Sequence, residues 1–184
     1  MKISKRVALV LPILFLLVLV SVSYANSSSN NIVATVTVLG PTPVIVITSP
    51  VNKTTYNKED VPLKFTINVP VVWIGYSLDN TKNKTIKGNT SLEGLKNGAH
   101  NITVYATDKS GNTGASNKVY FFYCLGDVNG DKRINWSDLL LVLNHFGQNC
   151  KSKNYNSNYD MNDDCKINIA DVLIVLRNFG KTCR

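Results

Sequence analysis

Two twelve-residue stretches near the C-terminus constrain this chain more than anything else in it. "DVNGDKRINWSD" (127–138) and "DMNDDCKINIAD" (160–171) stand 33 residues apart and agree place by place. Position 1 is Asp127 or Asp160, position 3 is Asn129 or Asn162, and position 5 is Asp131 or Asp164. Position 8 is Ile134 or Ile167, position 9 is Asn135 or Asn168, and position 12 is Asp138 or Asp171. Carboxylates packed this closely repel one another, so each stretch needs positive charge among them.

Alternating oxygen-bearing side chains are what a chain presents when it wraps around a hard cation. The order is that of an EF-hand calcium loop, with Asp in place of Glu at position 12 and a backbone carbonyl, from Arg133 or Lys166, at position 7. One such loop is easily a solvated turn. Two in one register predict two Ca2+ ions. Position 6, usually Gly, is Lys132 or Cys165, which costs on the order of 1 kcal/mol each in backbone strain. Ile134 and Ile167 are expected to pair the loops through a short strand contact. Helices are expected to begin at the twelfth ligand of each loop, with stripes Leu139, Leu140, Val142, Leu143, Phe146 and Val172, Leu173, Val175, Leu176, Phe179. Gly147 and Gly180 stand where those helices stop. No helical pattern precedes either loop, so these are half EF-hands.

Duplicated loop-helix units of this kind, "DVNGDKRINWSDLLLVLNHFG" and "DMNDDCKINIADVLIVLRNFG", resemble a type I dockerin over roughly 124–184. The resemblance implies a small all-α domain that plugs into a cohesin-type protein and places polysaccharide-degrading enzymes or their accessories in assemblies. It also implies partner contacts at positions 10, 11, 17, 18 and 22. These are Trp136, Ser137, Leu143, Asn144 and Gln148 in the first repeat, and Ile169, Ala170, Leu176, Arg177 and Lys181 in the second. Leu143 and Leu176 stand where polar recognition residues are usual, and core is the competing reading for both. Positions 10 and 11 differ between the repeats, against a symmetric two-way mode.

All four cysteines, Cys124, Cys150, Cys165 and Cys183, fall in this last third. An even count in a small exported region reads as disulfides. Zinc is the alternative, but the chain has no C-x-x-C pair and His100 and His145 lack finger spacing. Three connectivities are open. Joining Cys124 to Cys183 would clasp the ends, leaving Cys150 with Cys165.

Export is read from the N-terminus. Lys2, Lys5 and Arg6 precede the apolar run 7–20, and Ser23 and Ala25 supply small residues, so 1–25 is a signal peptide cleaved after Ala25 and the protein is secreted or at the cell surface. The alternative is an uncleaved anchor, since 7–25 is just long enough to span a bilayer. The net charge of +8 falls to +5 without this segment, seventeen basic residues against twelve acidic. Those charges are scattered singly, which excludes a nucleic-acid partner.

A polar linker or leading strand, 26–42, leads into 43–123, where "VIVITS", "VPLKFTINV", "VVWIGYSLD", "HNITVYAT" and "SNKVYFFY" alternate or run apolar between turn-rich pieces. Some seven short strands in about 80 residues predict an antiparallel β-sandwich. "WIGYSLD" and "LKNGAHNITVYATDKSGNTG" resemble the immunoglobulin-like modules of exported microbial proteins, without the cysteine pair of antibody domains. Trp73 and Tyr76 could form a sugar platform, though a tryptophan in such a strand is more often core. Glu59, Asp60, Asp79, Glu93 and Asp108 show no acid–base pairing, so the chain reads as multidomain and non-catalytic. Two alternatives stay open: a polysaccharide-binding module recruited by the dockerin, and calcium as a structural staple without cohesin binding.

Overall fold

A computed structural model describes residues 40–183 in full, together with the backbone strands β1 (Val20–Ala25) and β2 (Val33–Val38). Residues 1–19, which hold nearly all of the apolar run expected to drive export, and the polar stretch 26–32 lie outside the described residues. β1 and β2 pair antiparallel, from Val20 opposite Val38 to Ala25 opposite Val33. Cleavage after Ala25 would remove β1 and leave β2 without this partner. Among the described residues no helix is long and apolar enough to cross a membrane.

From Ile45 to Tyr123 the chain is all strand and turn. β3 (Ile45–Ser49), β5 (Val61–Ile67) and β8 (Thr90–Leu92) form one sheet in the order β3-β5-β8. The second sheet runs β4-β11-β9-β6-β7, with β10 (Thr113–Ala115) also on β9 (Gly98–Thr107). Its remaining strands are β4 (Thr55–Tyr56), β6 (Trp73–Leu78), β7 (Lys84–Ile86) and β11 (Val119–Tyr123). Alternation decides what faces in. Val61, Leu63 and Phe65 of β5 meet Ile102, Val104 and Ala106 of β9 and Phe121 and Tyr123 of β11 in one buried core. The expected antiparallel sandwich needs one amendment: β4 pairs with β11 in parallel, Phe122 opposite Thr55.

Trp73 is not in that core. Ile74, Tyr76 and Leu78 point inward, so Trp73, Gly75 and Ser77 take the other face of β6. The Trp73 indole lies over Gly75, where an added Cβ would come within 2.5 Å of it, and its Nε1–H donates to Thr85 Oγ1 at 3.0 Å.

The C-terminal region is short and helical. α1 (Trp136–Asn144) and α2 (Ile169–Asn178) each follow a loop, and one 3-10 turn, Ser157–Tyr159, precedes the second loop. A second core holds Ile134, Leu139, Val142, Met161, Ile167, Val172 and Val175 with Cys124 and Cys183. Cys124 is bonded to Cys183 and Cys150 to Cys165, with Cα–Cα separations of 5.5 and 5.1 Å. Leu125 packs against both cores, and its N–H donates to Asn97 Oδ1 at 2.8 Å. The Cys124 N–H donates to the Tyr56 carbonyl at 2.8 Å, so the sandwich runs directly into the helical unit.

Candidate metal centre and docking face

Each loop is shaped by its own carboxylates. Asp127 accepts from the N–H groups of Gly130, Asp131 and Lys132 at 2.7, 3.2 and 2.8 Å. Asp160 accepts from Asp164 and Cys165 at 3.1 and 2.9 Å. The sixth residue crosses into left-handed backbone in both loops, Lys132 at φ 65 and Cys165 at φ 69, as the turn requires. Asp131 and Asp164 accept from the seventh residues, Arg133 and Lys166, at 2.8 and 2.9 Å. Asn129 and Asn162 turn their oxygens to the fifth residue's N–H, at 2.9 and 3.2 Å.

The helices start earlier than expected, at position 10 rather than position 12. Asn135 and Asn168 are N-caps that accept from Ser137 and Ala170 at 2.8 Å each. Asp138 and Asp171 are then the third helical residues, and they close reciprocal capping boxes by accepting from Asn135 and Asn168 at 2.9 and 2.8 Å. One pair of side chains therefore ends each loop and begins each helix. The other oxygens of Asp138 and Asp171 accept from Val128 and Met161, the second residues, at 3.0 and 2.8 Å.

Asp127, Asp138, Asp160 and Asp171 are all buried, Asp138 and Asp171 completely. Among the described residues none of them has a cationic partner, the ion pairs being Lys58–Asp163 and His100–Asp79. Burial pushes the Asp127 carboxyl up; the Lys132 and Gly130 N–H groups oppose this, and the nearby Asp138 and Asp131 add to it. Buried carboxylates answered only by neutral donors, N–H groups and for Asp160 the Tyr155 hydroxyl, are costly unless a cation joins them. The donor set is all oxygen, of mixed charge, and fits a hard divalent ion. Among the described residues no three acidic side chains close on one point.

Ile134 and Ile167 do not pair with each other. Ile134 exchanges backbone bonds with the exit of α2, donating to Lys181 at 3.0 Å and accepting from Gly180 at 2.8 Å. Ile167 does the same with the exit of α1, donating to Gln148 and accepting from Gly147 at 2.8 Å each. Full EF-hands pair loop to loop. Here the chain leaving each helix turns at a positive-φ glycine, Gly147 or Gly180, and reaches the opposite loop first.

Only two of the five residues in each expected helical stripe are core. Leu139, Val142, Val172 and Val175 are buried, while Leu140, Leu143, Phe146, Leu173, Leu176 and Phe179 are exposed. Trp136 and Ile169 at position 10 are 67% and 59% exposed. The two exposed sets match at positions 10, 14, 17 and 20, and they meet where the Trp136 and Phe179 rings pack edge to face at 5.3 Å. Positions 14 and 20 share this exposed face although they lie outside the expected partner set. Ser137, Asn144 and Arg177 are exposed, and Ala170 is half-buried. Position 22 turns elsewhere. Gln148 lines a cavity beside Cys150 and Cys165, and Lys181 donates to Asn178 Oδ1 at 2.9 Å at the rim of a cleft shared with Leu95, Asn97 and Tyr123.

In the sandwich, His100 Nδ1 lies 2.8 Å from Asp79 Oδ2 and Nε2 lies 2.7 Å from the Lys96 carbonyl. Both ring nitrogens are engaged, and the ring stacks on Phe121 at 5.5 Å. It serves packing.

Residues 125–180 match the family model of the dockerin type I domain. No curated protein matches the chain. Among solved structures, the fibronectin(III)-like modules of CbhA from Clostridium thermocellum are 20% identical, with a TM-score of 0.38 over 43% of this chain and 93% of that one. A C-terminal interface mutant of a type II cohesin-X-dockerin complex from Acetivibrio cellulolyticus is 18% identical, with a TM-score of 0.33 over 77% of this chain and 97% of that one. The N-terminal interface mutant of the same complex is 16% identical at a TM-score of 0.31, over the same shares.

Proposed function

We propose that residues 124–184 form a calcium-bound docking module that seats on a cohesin-type protein outside the cell, carrying the β-sandwich (43–123) as a non-catalytic module in a polysaccharide-degrading or cell-surface assembly. The observation that carries this reading is the exposed apolar face built twice from positions 10, 14, 17 and 20. An apolar patch on a soluble domain marks a surface that a partner covers. Its place on the two helices agrees with the dockerin match of residues 125–180.

Two ions are proposed, one per loop. Asp127, Asn129, Asp131, the Arg133 carbonyl, Asn135 and Asp138 hold the first, and Asp160, Asn162, Asp164, the Lys166 carbonyl, Asn168 and Asp171 the second. When bound, each ion neutralises the buried carboxylates of its loop. The chain's own residues do the rest: Asn135 with Asp138, and Asn168 with Asp171, cap the helices and so fix where Trp136 and Ile169 stand. Partner binding then depends on calcium through linkage to the folded loops.

Capture of the full exported chain by a cohesin protein, with calcium and with chelator, tests the reading. Leu140→Asp with Leu173→Asp should abolish capture and leave the fold intact, since both side chains are exposed. Capture that survives chelation, or that ignores the double substitution, would sink it. If no cohesin is captured while calcium still raises the melting temperature, the ion is a staple only.

A further inference from the structure

The two loops share a ligand order but not their neighbours. Ties from outside hold the second loop at several places. The Tyr155 hydroxyl donates to Asp160 Oδ2 at 2.5 Å. The Glu59 N–H, between β4 and β5, donates to the Met161 carbonyl at 3.0 Å, and the adjacent Lys58 pairs with Asp163. Met161 is also the residue whose N–H bonds Asp171, so the sandwich grips, at its carbonyl, the residue that positions the twelfth ligand. Its sixth residue is fixed by the Cys150–Cys165 bond.

The first loop has fewer ties. Phe122 stands at the place of Tyr155 and has no hydroxyl, and Gly130 stands at the place of Asp163. Val128 receives no bond from the sandwich matching that of Met161, among the described residues. The outside contacts of its sixth residue are the Lys132 ammonium over the Phe122 ring at 4.4 Å and the Cys183 N–H on the Lys132 carbonyl at 3.0 Å.

Charge points the same way. Asp127, Asp131 and Asp138 against Lys132 and Arg133 leave the first loop at −1. Asp160, Asp163, Asp164 and Asp171 against Lys166 leave the second at −3, or −2 with Lys58 counted. Calcium affinity in such loops follows ligand charge and site rigidity. The ligand charge is equal, three aspartates in each loop, so rigidity and the charge around the ligands are what favour the second.

We propose that the loops bind calcium unequally: the second is the tight, preformed site, and the first is the weaker one whose filling completes the docking face. This rests on the calcium reading above. Trp136 directly follows Asn135, so the first site governs the Trp136 end of the face. Between the two fillings lies a calcium range in which the unit is folded but not competent to dock.

A calorimetric calcium titration of the full exported chain decides this. Two steps separated by at least about tenfold are expected. Asp160→Asn should remove the tight step and Asp127→Asn the weak one. In a Trp73→Phe background, Trp136 fluorescence should follow the weak step alone. Should Asp160→Asn fail to fold, Tyr155→Phe and Asp163→Ala keep every ligand, and each should weaken only the tight step by about three- to tenfold. Two equal steps, a tight step lost with Asp127→Asn, or a tight step unmoved by both ligand-sparing variants overturns the inequality while leaving calcium binding in place. No heat at all overturns the calcium reading itself.

Discussion

The sandwich and the C-terminal unit are held by different means. The sandwich buries Val61, Leu63, Leu92, Ile102, Val104 and Phe121 between two sheets and contains no cysteine. The C-terminal unit has a smaller apolar core, two disulfides, and four buried aspartates in positions that packing alone would give to apolar side chains. Its larger apolar side chains, Trp136, Leu140, Phe146 and Phe179 among them, are left outside. A fold can expose such residues only if something else holds it together. In the sandwich, stability comes from packing. In the C-terminal unit it comes from cross-links and, on our reading, from the ion, which frees its apolar residues for a partner.

The sharpest way to break this contrast is to remove both supports at once. Chelation with reduction should abolish the helical signal of α1 and α2 in circular dichroism, while the amides of β5, β6 and β9 stay protected from hydrogen exchange. Equal loss of protection in both regions would mean that the sandwich depends on the C-terminal unit, and the contrast would fall.

A core truncation should act in the opposite sense. Leu63 is fully buried, and Leu63→Ala should cost the sandwich about 2–5 kcal/mol in urea unfolding. The number of calcium ions bound should not change. Leu140→Ala, on the exposed face, should stay within about 0.5 kcal/mol of the parent.

What the sequence made legible divides along the same line. The repeated loops are legible because their pattern is local: the order Asp, Asn, Asp, Asn, Asp needs no tertiary context, and on our reading a cation fixes its spacing. The strands of the sandwich are legible from alternation, and β5 reads almost directly off "VPLKFTINV". The exposed apolar face is not legible. Leu139, Leu140, Val142, Leu143 and Phe146 make one stripe too wide for a single contact, and only the packing of α1 against α2 decides that Leu139 and Val142 go in while the others stay out. The partners of Ile134 and Ile167 are hidden for a similar reason, since backbone pairing leaves no side-chain pattern. Trp73 misleads because its strand is core on one face only.

The smallest effect expected belongs to a turn of the sandwich and concerns pH. Asp108 folds the "DKSGN" turn around itself, accepting from Ser110 and Asn112 N–H groups on one oxygen at 2.8 and 2.9 Å and from the Asn112 side-chain amide on the other at 2.9 Å. The Asn112 amide lowers its pKa below the ordinary 3.8 most, burial opposes, and the N–H groups of Asn112, Ser110 and Gly111 lower it further. A carboxyl whose folded pKa is depressed stabilises the fold above its unfolded value and loses that contribution as pH falls through the folded value. The stability of the sandwich should therefore lean on Asp108 at neutral pH and lose that support only below the ordinary 3.8. Asp108→Asn keeps an acceptor for the main-chain donors but sets an amide against the Asn112 amide. Urea midpoints taken across this range should show the parent ahead of the variant at neutral pH and the gap closing under acid. A gap that stays constant with pH would mean that the charge of Asp108 plays no part. The C-terminal unit gives the contrasting case: on our reading its stability should shift with calcium concentration, as that of the sandwich should not.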